Sequence, residues 1–501
     1  MSEQIAFPLP FTSRYSRRRA ETMRTLRELA MMRMSALIRA KPEWHVKMND
    51  AGIVATWTRE AAAQGMTEAQ IRYVLAELAY YAALRDERTG IEVSGVDGVW
   101  QSDSLVDDEL RSRLREAVRV LEDVPDAERD WHPGSDGRVL DLVHPSLFCL
   151  VRDVSRPDAA GWPAQSWQNP EFSLSDKFQW LPTDAEVGED GDVVFRSYVN
   201  NLHPVAHREL ESVLPILFGR MLPLFENVLA DLHRLQRVRI QTESRSWHEG
   251  EPAGPWNPEI EYPDDAVEVW EEAMDAWRAN RVPIIPDAPV FTAPVPPGDS
   301  DRVDLRGRRL QVIVKLAAIH LTPDRPEYSG GVWHVEGMMN ERIVSTGIYY
   351  WDSENVTESR LGFRTVVDPP GHAREDRDAL REIYGLEDTV SSLNQVLGAA
   401  ETRAGRALAF PNILQHRVSP FRLADPSRPG YRKILVFFLV EPSVTITSTS
   451  DVPPQQPWSA QSTMTLEQAK EFREELMQER KYLVDHQNDR VYEREFSLCE
   501  H

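Results

Sequence analysis

The chain has 501 residues and a mass of 57.3 kDa, with 41% hydrophobic and 27% charged residues. That is a folded, globular composition, long enough for about two to four structural units. Lys and Arg number 57 against 80 Asp and Glu, a net charge of −23 that disfavours phosphate backbones and anionic membrane surfaces. Two cysteines, Cys149 and Cys499, exclude a disulfide framework and a cysteine-built zinc or iron–sulfur site.

The first residues contain no apolar run of the secretory type. The basic group Arg17-Arg18-Arg19 is flanked by Glu3 and Glu21 and reads as a solvated helix start, so a cytoplasmic chain is expected. Residues 15–85 carry apolar positions at helical spacing, among them Leu26, Met34 and Ile38, then Ile71, Val74, Leu78 and Tyr81. Thr67 and Gln70 form a capping-box pattern before the second run. Residues 108–122 predict a third helix, opened by the acidic cluster Asp107, Asp108 and Glu109. Val193–Val199 alternates like a strand and 205–237 returns to helix. Residues 248–300, rich in Pro, Trp and acid, predict a long irregular excursion.

From 305 the texture becomes strand-dense. Expected strands are Leu310–Ala317, Val332–Met338, Ile343–Trp351, Arg360–Val367, Ala407–Phe410, His416–Phe421 and Lys433–Val440. Short strands with Gly, Pro and Asp turns predict a sandwich or barrel. A last helix is expected over Leu466–Leu483. The organisation that follows is a helical region at 1–140, a mixed α/β segment at 141–304, a β core at 305–450 and a helical C-terminal extension at 451–501. The most apolar run, Ile434–Val440, is far short of the roughly 20 residues a membrane span needs.

His334 and Glu336 are two apart, so in extended backbone their side chains share one face. His416 falls on another expected strand. Two imidazoles and one carboxylate with no thiolate match the facial triad of non-haem Fe(II) oxygenases. That set leaves positions for a bidentate 2-oxo acid and for O2. Arg432, at the start of the last strand, suits the far carboxylate of such an acid, because a guanidinium holds a carboxylate through two parallel hydrogen bonds. Lys433, on the opposite side of that strand, is the rival. The plain alternative is a pair of core histidines.

The order H-x-[D/E], distal His, Arg resembles the 2-oxoglutarate/Fe(II)-dependent dioxygenases, in their prolyl-hydroxylase-like branch. Ser345-Thr346-Gly347-Ile348-Tyr349-Tyr350 resembles the branch's T-x-I-Y-Y element, and His416-Arg417-Val418-Ser419-Pro420 its H-x-V-x-P motif. The resemblance covers about 310–442. It implies a double-stranded β-helix (jelly-roll, cupin-like) core in an α+β protein. It implies Fe(II) held by His334, Glu336 and His416, and 2-oxoglutarate held by Arg432 and Tyr350. Glu336 stands where Asp is usual, and the stretch from His416 to Arg432 is longer than the branch's. Over roughly 140–460 the text also resembles an uncharacterised fungal and bacterial family known only as a domain of unknown function.

The expected activity is hydroxylation of a C–H bond in a small-molecule or amino-acid-type substrate, with O2 consumed and succinate and CO2 formed. No nucleic-acid or membrane partner is expected, and acidic loops suit a neutral or cationic substrate. A jelly-roll binding protein without turnover, or a zinc hydrolase using the same three residues, are the alternatives. Weaker signals are His203 and His207, expected to bind backbone or a carboxylate; the Asn200–His203 segment, a candidate substrate entrance; and His320, a core or turn histidine. Trp333 and Trp351 could wall a cavity, and Glu354–Glu358 reads as a polar turn. The helical N-terminus and the 248–300 excursion are expected to cover the barrel mouth.

Overall fold

Three runs near the end of the chain, QVIVKLAAI, IVSTGIYYW and KILVFFLV, are apolar at nearly every position instead of alternating. Strands read that way when both of their faces are covered. In the computed structural model they are the strands Arg309–Leu321, Ile343–Glu354 and Gly430–Val440. The structure describes residues 7–11, 21–155, 173–234, 237–242, 272, 275–276, 283–295, 302–371 and 377–497. Arg17–Arg19, Cys499 and most of 248–300 lie outside the described residues.

The protein is a mixed α/β structure built on antiparallel sheets. In the larger sheet the spatial order runs Trp100–Ser102, Ala407–Pro411, Ile343–Glu354, Gly430–Val440, Arg309–Leu321, Thr183–Val187. Val139–Val143 pairs with the far half of the same Arg309–Leu321 edge. In the smaller sheet Arg360–Asp368 pairs with Asn394–Glu401 on one side and Gln415–Val418 on the other.

Alternation along the long strands separates two cores. Val312, Val314, Leu316, Leu435, Phe437, Leu439, Tyr349 and Trp351 point outward into a core shared with the helices Glu68–Leu84, Asp108–Glu122 and Arg208–Leu232. Ile313, Ile348, Tyr350, Val436 and Phe438 pack inward against Leu361, Phe363 and Leu397 of the smaller sheet. Glu68–Leu84 and Asp108–Glu122 join the cluster on the outer face of the large sheet, whereas the helix Leu26–Arg39 also packs on the smaller-sheet strand Asn394–Glu401. An apolar outer face demands that cover. Thr67 and Gln70 make both bonds of the expected capping box, and Asp107 caps its helix by accepting from the Leu110 amide. Arg208–Leu232 is, among the described residues, the one helix long and apolar enough to cross a bilayer. Its buried face (Leu214, Phe218, Phe225 and Leu229) belongs to the outer core.

Two sequence expectations change. Val332–Met338 is not a regular strand: it makes one isolated bridge, His334 with His416. Gly330 and Gly337, both at positive φ, bend the backbone on either side of it. Asn394–Glu401, unmarked in the sequence because of its Gly398-Ala399-Ala400 run, is a strand.

Gly347 lies where the Arg208–Leu232 helix crosses the sheet. A Cβ there would sit 2.6 Å from Phe225 Cζ and 2.9 Å from Met221 Cε, both wholly buried. Gly347→Ala should therefore destabilise the fold by about 1–3 kcal/mol through overpacking. The check is a urea unfolding curve with a lower midpoint and an unchanged slope.

Candidate metal centre

His416 lies on the short strand Gln415–Val418 and pairs in register with Phe363. Its backbone amide and carbonyl exchange hydrogen bonds with those of His334, at 3.0 and 3.2 Å. This single bridge brings the two imidazoles together, with ring centroids 4.4 Å apart. Glu336 Oε1 lies 3.2 Å from His416 Nε2 and 3.7 Å from His334 Nε2. The three ligand atoms fall within 4.8 Å of one another and could hold one ion.

The orientation of His334 suits a ligand. Its Nδ1 lies 2.8 Å from the Val332 carbonyl, which can only accept, so Nδ1 carries a hydrogen and Nε2 is left as the atom that takes either the proton shared with Glu336 or a metal ion. Burial opposes charge on Glu336, but hydrogen bonds from His334 and His416 outweigh it and hold the carboxyl well below its usual range. His334 is likewise opposed by burial, yet Glu336 raises it above the usual imidazole value. Burial, then the neighbouring His334, lowers His416.

Asn412 holds this arrangement and was not foreseen. It is fully buried, accepts from the Glu336 amide at 2.8 Å, and donates to the carbonyls of Glu336 and Ile343 at 2.9 and 3.0 Å. The only sequence signal was a polar residue in the apolar text Phe410-Pro411-Asn412-Ile413-Leu414. Gln415, beside His416, donates to Asn488 Oδ1 at 2.6 Å, so the segment after the helix Leu466–Gln487 buttresses the smaller sheet.

Arg432 points inward, with Ile434 and Val436, and is 2% exposed. Its Nη1 donates to Ser359 Oγ at 2.6 Å and Thr402 Oγ1 at 3.2 Å, and its guanidinium lies 5.5 Å from the Tyr350 ring centre. Among the described residues no carboxylate pairs with it, and burial lowers its pKa. Lys433 points to the outer face, opposite to Arg432, and pairs with Glu122 at 2.8 Å.

The remaining candidates resolve as structural groups. His203 Nδ1 accepts from the Val205 and Ala206 amides, and His207 Nδ1 from the His203 amide. Asn200 and Asn201 donate to the Leu147 carbonyl, holding a loop in place of lining an entrance. His320 is on the outer face beside Trp131 and Tyr431, its pKa pushed down to about 4 by burial. Trp333 is stacked between Arg364 and Arg417, and Trp351 is buried under the helices, so neither ring walls the inner space. Asn355 organises the long turn before Arg432, donating to the carbonyls of Asp425, Arg428 and Pro429.

A second cluster, His132, Asp141 and His144, also brings three donor groups within 4.8 Å. His132 Nδ1 lies 2.8 Å from Asp141 Oδ2. His144 Nδ1 accepts from the Ser146 amide at 3.2 Å, which puts the hydrogen of a neutral ring on Nε2. Arg473 Nη1 lies 3.9 Å from Asp141 Oδ2. A protonated Nε2 and an adjacent guanidinium suit a hydrogen-bonded cluster better than a cation.

Set beside known proteins, the chain belongs to the family described as protein of unknown function DUF4246, whose model matches residues 68–462. The model of that family's N-terminal domain matches residues 1–60. No curated protein matches. Among solved structures the chain has 13% identity with the Fe(II)/α-ketoglutarate-dependent dioxygenase TqaL, covering 69% of this chain and 95% of that one, TM-score 0.25. It has 15% identity with the dioxygenase for auxin oxidation in rice, covering 74% and 79%, TM-score 0.24. With IDO from Bacillus thuringiensis it has 14% identity over 27% of this chain and 47% of that one, TM-score 0.16. At TM-scores this low, none of them establishes a shared fold.

Two outcomes follow from the geometry. A metal ion must displace the proton shared by the triad, so affinity should fall as pH drops through a value above the usual imidazole 6.5, about tenfold per unit below it. Co(II) titrations at several pH values would read this. Arg432→Met removes a buried charge that lacks a carboxylate partner. It should leave stability unchanged or raise it by about 1–4 kcal/mol, measured by thermal unfolding without added ligands.

Proposed function

We propose that this protein is an Fe(II)- and 2-oxoglutarate-dependent oxygenase that oxidises a C–H bond of a small-molecule or amino-acid-type substrate. The observation that carries this reading is the presence, around one inner core, of a His/Glu/His donor set and a buried arginine with no carboxylate partner among the described residues. The donor set is two imidazole nitrogens and one carboxylate oxygen with no thiolate, which suits Fe(II). The strand orders support a double-stranded β-helix. Arg309–Leu321, Gly430–Val440, Ile343–Glu354 and Ala407–Pro411 make one sheet, and Gln415–Val418, Arg360–Asp368 and Asn394–Glu401 the other.

In this reading His334, Glu336 and His416 hold the iron. Bound there with 2-oxoglutarate, it supplies O2 activation coupled to oxidative decarboxylation, giving succinate, CO2 and an oxidised substrate. The Val332 carbonyl fixes the His334 tautomer, and Asn412 fixes the backbone that carries Glu336. Arg432 takes the distal carboxylate of 2-oxoglutarate, helped by Ser359, Thr402 and Tyr350. Ser359, which accepts from Arg432, is four residues before Phe363, the register partner of His416. At 3.3–3.4 Å per residue that is about 13 Å along the strand, a separation that a five-carbon diacid and a guanidinium can share. The apolar inner core of Phe363, Phe410 and Val436 keeps water from the reacting groups.

Anaerobic Fe(II) plus 2-oxoglutarate should give a weak visible charge-transfer band with the wild-type chain. His334→Ala should lose both iron and the band. Arg432→Ala should keep iron and raise the 2-oxoglutarate requirement about 100-fold or more, the loss expected for one partner of a buried charge pair. Activity that persists without O2 and 2-oxoglutarate, and is indifferent to Arg432→Ala, would assign the site to a zinc hydrolase instead.

A further inference from the structure

Lys315 lies in the middle of the Arg309–Leu321 strand, in register with Val436. Its neighbours at alternate positions, Ile313 before it and Val436 across from it, belong to the inner core, whereas Val314 and Leu316 belong to the outer one. The lysine is therefore a cation on the inner face. It is half-buried, and among the described residues its ammonium makes no hydrogen bond and no ion pair. On the neighbouring strand Asp141 is in register with Ala317, two residues along the same face. Asp141 is 6% exposed, is bound to His132, and keeps Oδ1 without a hydrogen-bond partner. The Lys315 charge bears on both clusters: it opposes protonation of His334 and His144 and favours ionised Asp141.

Such an ammonium is a point charge on a flexible stem and calls for an anion. Arg432 already serves the cosubstrate, so Lys315 is left for something else. A dianion such as a phosphate monoester would face Asp141 and Glu336 together, whereas a single carboxylate matches a single ammonium. We propose that Lys315 is the specificity-determining residue of the substrate pocket and binds a carboxylate of the primary substrate beside the His334, Glu336 and His416 centre, with His132 and Asp141 on its flank. The substrate class is thus a small carboxylic acid, which reverses the expectation of a neutral or cationic substrate drawn from net charge. The inference rests on the oxygenase reading, because it takes Arg432 to be occupied by 2-oxoglutarate.

The test uses the full chain loaded with Mn(II) and N-oxalylglycine, an unreactive mimic of 2-oxoglutarate, with trifluoroacetate as the carboxylate probe. Fluorine NMR should show saturable paramagnetic broadening of trifluoroacetate by the wild-type complex. Lys315→Met should weaken that binding about tenfold or more, the worth of one charge-assisted hydrogen bond. Lys315→Arg should keep it within about threefold, since the positive charge is retained. N-oxalylglycine affinity should be the same in all three chains, a result that a merely structural lysine would not give together with loss of the probe. No saturable broadening in the wild-type complex, or equal broadening with Lys315→Met, overturns the proposal. Loss of N-oxalylglycine binding in Lys315→Met also overturns it, by assigning the lysine to the cosubstrate. Failure of the wild-type chain to bind N-oxalylglycine at all sinks the oxygenase reading itself and is seen before the probe is added.

Discussion

A carboxylate held between two imidazoles organises the inner face of this protein. Glu336 Oε1 is 3.2 Å from one ring nitrogen and 3.7 Å from the other, in a setting where burial works against its charge. Such a cluster persists only when its backbone is fixed from outside. Here the fixing is done by one β-bridge between His334 and His416 and by the side-chain amide of Asn412. The irregular segment from Gly330 to Gly337 needs that support, because its backbone bonds to the strand Gln415–Val418 only through His334 and the Gly331 amide and forms no continuous ladder.

The large sheet's inner face carries Arg432 and Lys315, two cations without a carboxylate bonded to them among the described residues. Cations so placed cost solvation energy that packing alone does not return. They differ in chemistry: the arginine is fixed by Ser359 and Thr402, whereas the lysine is half-buried and makes no such bonds. On the proposed reading, that difference separates a rigid anchor for the cosubstrate from an adaptable contact for the substrate. Arg239 is the contrasting case: wholly buried, it is bound by Glu77 and Asp97 and ties the helices to the segment after Arg208–Leu232.

Much of the framework was legible before any coordinates. The apolar-rich runs Leu310–Ala317, Ile343–Trp351 and Lys433–Val440 were legible as strands, and the capping box at Thr67 marks its helix start by local hydrogen-bond chemistry. His334 and Glu336 were paired because alternation puts positions two apart on one side, and the structure keeps the two side chains together, 3.7 Å apart, even without a regular strand. Asn394–Glu401 was illegible because small residues carry no β signal of their own; pairing with Arg360–Asp368 makes it a strand. What the N-terminal helices pack against was not legible, since an amphipathic pattern states that a face is buried and not against what.

By itself, the sequence determined the residue types able to do the chemistry, the strand periodicity that carries them and the absence of thiolate ligands. These are local properties, readable from spacing and side-chain chemistry. Only the tertiary structure decided that His416 meets His334, that Arg432 turns inward while Lys433 turns to Glu122, and that Asn412 holds the Glu336 backbone. Lys315 is the clearest case: in the sequence it is one lysine in an apolar run, and strand register together with the two covered faces makes it an internal cation. Such contacts join residues far apart in the chain, and no local pattern encodes which distant strand will lie opposite.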